Sequence, residues 1–353
     1  MSLRAELIAR ITAQGPLTIA AFMAEALLHP TKGYYTTRAP FGAAGDFVTA
    51  PEISQMFGEV IGLCLAQSWL DQGAPAPFTL AELGPGRGTL MADMLRATAK
   101  VPGFHAAAQI VLVEASPQLQ ASQAELLKGY DVTWAPDISG LPEAPLWLVA
   151  NEFFDALPIR QFERAEAGWR ERCVGVENGA LAFGLSPIGP QPALDHRVDD
   201  TQPGDTVETC ATATAIITDL ATRIDAHGGA ALIIDYGDWR SLGDTLQALR
   251  AHDPVHPLEA PGTADLTAHV DFEALAHAAA PAAYTRLTPQ GVFLERLGIT
   301  ARAQALAAAR SGAALEAHIA AHRRLTHPEE MGNLFKVLGL YPATAAPPPG
   351  LNP

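Results

Sequence analysis

The sequence predicts an α/β protein built on a mostly parallel sheet with helices on both faces. Three observations carry this. Short apolar runs recur at Phe78–Leu83, Ile110–Glu114, Val132–Trp134, Leu146–Ala150 and Ala230–Gly237. Segments of helical length separate the first four. The runs are apolar throughout and do not alternate with polar residues, which is the pattern of parallel strands buried on both faces. A loop with three glycines closes the first run.

The elements follow in order. Residues 3–14 and 18–28 read as amphipathic helices, the second introduced by Gly15-Pro16-Leu17. A loop rich in glycine and aromatics spans 32–51. Residues 52–72 read as a helix with Ile53, Phe57, Val60, Ile61 and Leu65 on one side. This N-terminal segment, residues 1–75, is expected to form a helical lid on a core of residues 76–342. Within the core, helices are expected at 88–99 and 116–128. Ile159–Glu163 and Trp169–Val176 flank Ala165-Glu166-Ala167-Gly168 as a β-hairpin does, which marks an insertion near 159–185. A Pro-rich loop (186–204), a helix (209–226), the strand 230–237 and a long substrate-side loop (252–270) follow. After a helix from Asp271, the last two strands are expected at 284–287 and 334–338. The Ala- and Pro-rich tail, 343–353, is expected to fray.

Composition narrows the function. Hydrophobic residues make up 48% of the chain and only 17% are charged, which fits an ordered globular chain. A net charge of −15 argues against nucleic acid, which requires concentrated Lys and Arg. An acidic surface can draw a basic peptide, although solubility alone explains it. Cys64, Cys173 and Cys210 are odd in number and far apart, which predicts reduced thiols and a cytoplasmic setting. No stretch is apolar for long enough to insert in a membrane, and no signal or transit peptide is expected. His318 and His322 have the i,i+4 spacing of zinc ligands. Residues 319–321 are Ile-Ala-Ala, without the glutamate of an HExxH site, so both are read as surface residues and no metal is expected.

The most informative segment is Leu80-Ala81-Glu82-Leu83-Gly84-Pro85-Gly86-Arg87-Gly88-Thr89. Glycines let the backbone turn tightly and approach a ligand without Cβ obstruction. The loop leaves the carboxyl end of a parallel strand, where open α/β sheets bind ligands. A dinucleotide fingerprint needs glycine at position 89, which is Thr, and a P-loop needs Gly-Lys-Ser/Thr. The form E-x-G-x-G-x-G resembles the S-adenosylmethionine (SAM) motif of class I methyltransferases. That assigns Glu82, Gly84, Gly86 and Gly88 to the cofactor. Glu114 ends the next strand, where an acid can accept from both ribose hydroxyls, and Asp137 follows the third strand, where that fold places an acid near the adenine amino group.

Asn151-Glu152-Phe153-Phe154-Asp155-Ala156-Leu157-Pro158 follows the fourth strand. Two carboxylates there can hold a cationic nucleophile such as guanidinium. A simpler account makes Asn151 a helix cap and Glu152 a first-turn acid.

These residues sit in a chain that resembles the MidA-like methyltransferases, the family that includes the mitochondrial complex I assembly factor. The resemblance covers nearly the whole chain. It rests on Lys32-Gly33-Tyr34-Tyr35, the stretch Gly45 to Glu59, the Glu82–Gly88 loop, Asn151–Pro158, Ile234-Asp235-Tyr236-Gly237, and Gly262 to Phe272. It implies a Rossmann-like class I SAM methyltransferase core with a mostly parallel seven-stranded sheet, an N-terminal helical segment and the inserted β-hairpin. It implies SAM as cofactor and S-adenosyl-L-homocysteine as product. It points to Thr49 and Glu52 as lid residues over the cofactor beside Asn151, and to Asp265 and His269 with Glu152 and Asp155 on the substrate side. Asp271 also reads as the N-cap of the following helix, and His269 as a structural hydrogen-bonder. In mitochondrial members the family implies symmetric dimethylation of an arginine on a complex I core subunit. Without a mitochondrial presequence, this chain is expected to be a bacterial, cytoplasmic member acting on a protein. Methylation of a small molecule or another side chain, or SAM binding by an assembly factor without turnover, remain alternatives.

Overall fold

A computed structural model describes residues 1–37 and 49–353. Its main sheet contains strands β1 (Phe78–Leu83), β2 (Ala108–Val113), β3 (Val132–Ala135), β4 (Leu146–Asn151), β5 (Gly229–Asp238), β6 (Ala283–Tyr284) and β7 (Phe335–Tyr341) in the order β3-β2-β1-β4-β5-β7-β6. Strands β1 to β5 are mutually parallel. β7 runs antiparallel to β5 and β6 antiparallel to β7. Two short strands, Val270–Asp271 beside β5 and Thr288–Pro289 beside β7, bring this mixed sheet to nine.

The continuous apolar runs have the burial they imply: every residue of β1 and β4 is buried. One face packs against helices Gln55–Asp71 and Thr89–Thr98, with Phe57, Leu65 and Trp69 against Phe78 and Trp147. The other packs against Ala211–His227 and Phe272–Ala278 through Ile217, Leu220, Ile224 and Phe272. The expected helix over 52–72 is broken at Ser54, whose extended backbone lets its side chain accept from Met56 N. Ser is a strong N-cap, and Pro51 suits the first turn of the short helix Ala50–Ile53 that precedes it.

The hairpin Arg160–Ala165 and Gly168–Glu177 grows into a second, antiparallel sheet with Ala180–Leu185, Thr206–Thr209 and the two-residue strand Leu17–Thr18. Helices Leu3–Gln14 and Ile19–Leu28 pack there and on Leu266, while Gln55–Asp71 packs on the main sheet. The N-terminal segment is thus divided between two cores. The loop expected at 252–270 contains strands Asp253–Val255 and Asp265–Thr267, which join Gln247–Arg250 in a small antiparallel sheet.

Three expectations change. The strand expected at 284–287 shortens to β6 because Thr285 diverts its hydroxyl to Gly339 N. The tail is held down: Leu351 is buried, Arg296 Nη1 donates to Gly350 O, and Arg286 N donates to Asn352 O. His318 is buried with its Nε2 2.9 Å from Ala303 O, so it braces helices Ile299–Ala307 and Gly312–Thr326 and is no surface residue. Among the described residues no helix is long and apolar enough to cross a membrane, and no cluster of potential metal ligands occurs.

Candidate functional site

The site begins where β1 ends. Gly84, Gly86 and Gly88 have φ of +61°, +53° and +85°, conformations that strain other residues. A Cβ on Gly84 would also lie 2.8 Å from the Phe153 ring. Helix Thr89–Thr98 starts from Gly88 without a side-chain cap, so its first N–H groups and positive dipole end face the loop. Gln123 braces the turn: its Nε2 donates to Gly86 O at 2.7 Å, and its Oε1 accepts from Trp134 Nε1 at 2.8 Å. Nothing in the sequence distinguishes Gln123 from its polar neighbours on the same helix.

Thr49, Pro51 and Glu52 face Glu82, Gly84, Gly86, Asn151 and Glu152 across a crevice of about 30 Å³. Glu52 closes it: Oε1 accepts from Thr89 Oγ1 at 2.6 Å and Oε2 from Arg87 Nη1 at 3.3 Å. The family stretch that begins at Gly45 is met here from Thr49 onward, while Gly45, Asp46, Phe47 and Val48 lie outside the described residues. Burial pushes Glu82 up to about 8, and the charge of Glu114 adds to this. Glu82 Oε2 and Asn151 Oδ1 are buried without a hydrogen-bond partner among the described residues. Each such acceptor costs about 1–3 kcal/mol unless a ligand supplies a donor. The ammonium of SAM's methionyl end is such a donor, so the residues present fit that cofactor.

The two strand-end acids differ. Glu114 is half-buried; its Oε1 accepts from Ser116 N at 2.7 Å and its Oε2 from Gln123 Nε2 at 3.4 Å. Burial raises its pKa against those hydrogen bonds. Asp137 is exposed outside the crevice, where its side chain caps the turn Ile138–Gly140. Hydrogen bonds from the Ser139 hydroxyl and backbone N–H lower its pKa.

A well of carboxylates lies beside the crevice. No helix follows β4, which removes the helix-cap account of Asn151 and Glu152. Instead Glu152 has φ +51°, an uncommon conformation for its type that is often found at functional sites. Its Oε1 accepts from Ala50 N at 3.0 Å and Asn151 Nδ2 at 3.1 Å. Burial raises Glu152 to about 7 and Asp155 to about 6, with a hydrogen bond from Tyr236 restraining the latter. Asp155 is only 6% exposed, and its Oδ1 has no partner among the described residues. Behind it, Asp235 Oδ2 accepts from Phe154 N at 3.0 Å and Asp155 N at 3.2 Å, and Oδ1 from Tyr236 N at 2.9 Å. Asp265 accepts from Tyr35 Oη at 2.9 and 3.0 Å. Burial, then the charges of Asp265 and Asp155, push the Tyr35 hydroxyl well up.

His269 stands one layer back, edge-on to the Tyr236 ring at 5.3 Å, with burial lowering its pKa. It borders a separate, largely apolar cavity of about 340 Å³ with Phe154, Ile159, Phe162 and Val207. Asp271 caps helix Phe272–Ala278 by accepting from Ala274 N at 3.0 Å. The fold thus gathers Thr49, Glu52, Glu82, Gly84, Gly86, Asn151 and Glu152 at one crevice, with Gly88 and Glu114 flanking it and Asp155 and Asp265 beside it. Tyr35, Asp235 and Tyr236 join them; all three lie in the motifs quoted above, yet only tertiary contacts reveal what they touch.

A glycine loop on a parallel strand, unsatisfied acids beside it and a second acidic well define an α/β cofactor-dependent transferase. Comparison with known proteins gives the family. The model described as "Putative S-adenosyl-L-methionine-dependent methyltransferase" matches residues 60–290. The protein arginine methyltransferase NDUFAF7, mitochondrial, of Danio rerio is 39% identical over 363 residues, covering 95% of this chain and 86% of that protein. Its Homo sapiens counterpart is 35% identical over 363 residues, covering 94% and 82%. A Burkholderia thailandensis protein crystallised with S-adenosyl-homocysteine superposes with a TM-score of 0.84 at 30% identity, over 96% of this chain and 91% of that one. This chain belongs to the family of SAM-dependent methyltransferases that these proteins represent.

Proposed function

We propose that this SAM-dependent methyltransferase acts on an arginine side chain of a protein, and that Glu152 and Asp155 neutralise and orient its guanidinium. The observation that carries this is the pair of burial-shifted carboxylates, one with an unpartnered oxygen, directly beside the glycine crevice. Burial alone makes such anions costly, and a planar cation with several N–H donors offsets that cost. The curated relatives are protein arginine methyltransferases, which supports the same acceptor. A complex I subunit is the proposed target class, in a bacterial cytoplasm.

The cofactor assignments follow. Glu82, Asn151 and the glycines hold the methionyl end, Glu114 the ribose and Asp137 the adenine side, with Thr49 and Glu52 as a lid turn. Bound SAM supplies an activated methyl group. The protein's task is to align the acceptor nitrogen with it, exclude water and balance charge. Asp265 is assigned to the acceptor side and His269 to support of Tyr236. The seven principal strands, β1 to β5 parallel, support a Rossmann-like class I core.

The test is incubation of purified protein with radiolabelled SAM and extract from a strain lacking it. A labelled band is then digested for mass spectrometry. Methylarginine supports the reading; label on another residue type, or only on small molecules, refutes it.

A further inference from the structure

Asp235 is fully buried at 0% exposure, and its carboxylate accepts from three backbone N–H groups. Two belong to the turn carrying the acceptor carboxylates and one to its own strand. Burial, then the charges of Asp155 and Glu152, push its proton affinity well up, while the three N–H groups that it accepts from work in favour of the anion. The geometry favours the anion, because both oxygens act as acceptors. The Asp155 carbonyl in turn accepts from Ala268 N at 2.9 Å, so the turn is pinned from β5 and from the segment after Asp265–Thr267.

We propose that Asp235 is a positioning residue for methyl transfer: its buried anion fixes the 152–155 turn and keeps Asp155 basic enough to take the proton that the acceptor nitrogen loses. This rests on the arginine-methyltransferase reading above. The balance is simple. As the nitrogen bonds to the methyl carbon, the C–S electron pair stays on sulfur, and one N–H proton passes to the free Oδ1 of Asp155. Two neighbouring anions raise each other's proton affinity, which is the service Asp235 performs for Asp155. Among the described residues, the other groups near Asp155 include Glu152 on its own turn, Tyr236 on β5 and Tyr35 from the N-terminal segment, whose hydroxyl donates to Asp265. His269 packs edge-on against the Tyr236 ring, and the charge of Arg324 acts on Glu152.

The experiment compares Asp235→Asn with the unmodified protein on the labelled target. Asn keeps the volume but removes the charge and turns one acceptor into a donor facing N–H groups. S-adenosyl-homocysteine affinity is expected to stay within about 3-fold. The kcat should fall about 30- to 100-fold, and the acid limb of its pH profile should move down by about one unit, since Asp155 without its neighbouring anion binds protons less tightly. A purely architectural residue would lower kcat equally at every pH. An unmoved limb, or cofactor affinity lost in step with kcat, overturns the proposal. The residue labelled by the unmodified protein tests the arginine reading separately. If the Asn variant does not fold, Asp155 is read in the unmodified protein with S-adenosyl-homocysteine bound, by carboxyl ¹³C NMR assigned through Asp155→Asn. A coupled, two-step titration with a midpoint above about 5 supports the proposal, and a single step near 4 overturns it.

Discussion

Replacing Glu152 with Gln should make the protein more stable and a worse enzyme. Glu152 titrates near 7 in the fold against an ordinary 4.5, chiefly because it is buried. The folded state therefore holds the proton more tightly than the unfolded chain. Its contribution to stability is complete below pH 4.5 and is lost as pH rises through 7. Above that, ionised Glu152 costs the fold up to about 3 kcal/mol, an upper limit because the side chain keeps some contact with solvent. A chain of 353 residues unfolds with an entropy of about 0.7 kcal/mol per degree, so the cost corresponds to about 4 °C or less. Gln retains the oxygen that accepts from Ala50 N and Asn151 Nδ2 and never ionises. Thermal melts should therefore show Glu152→Gln above the unmodified protein by a few degrees at pH 8, with the gap closing as pH falls toward about 4. Methyl transfer should fall about 10- to 150-fold, the loss of a charge-assisted hydrogen bond worth about 1.5–3 kcal/mol. A stability difference that does not depend on pH would refute the burial argument. Near-normal turnover by the folded variant would move the acceptor role to Asp155 or Asp265.

Other outcomes test the cofactor side. Calorimetry should find SAM and S-adenosyl-homocysteine bound and NAD ignored, with Glu114→Ala weakening S-adenosyl-homocysteine about 10- to 100-fold; tighter binding of NAD sinks the assignment. Gly86→Val forces a branched side chain into a left-handed backbone, so it should cost about 1–2 kcal/mol in a melt and abolish S-adenosyl-homocysteine binding by the folded fraction. Glu52→Ala removes the hook on Thr89 and Arg87; stopped-flow release of S-adenosyl-homocysteine should quicken about 3- to 10-fold, and an unchanged rate would argue against a lid.

What the sequence determined by itself was local. Continuous apolar runs identified β1, β2, β4 and β5, because a strand buried on both faces admits few polar residues. The glycines before Thr89 marked the cofactor loop, because a backbone at φ +53° to +85° strains residues that carry a Cβ. Acid positions at strand ends were legible for the same reason: the carboxyl edge of a parallel sheet is fixed by chain direction. Tertiary structure decided the rest. The break at Ser54, the packing of the first two helices on the inserted sheet and the burial of the tail depend on partners far along the chain. Periodicity carries no trace of them. Asp137 and Asp155 look alike as acids following strands. One is solvated and capping a turn, while the other is enclosed by Asp235, Tyr236 and Tyr35. That enclosure comes from β5 and an N-terminal segment over a hundred residues away. Proton affinity follows desolvation and neighbouring charge. Both belong to the folded surroundings, so the fold and not the motif decides which carboxylates are poised for chemistry.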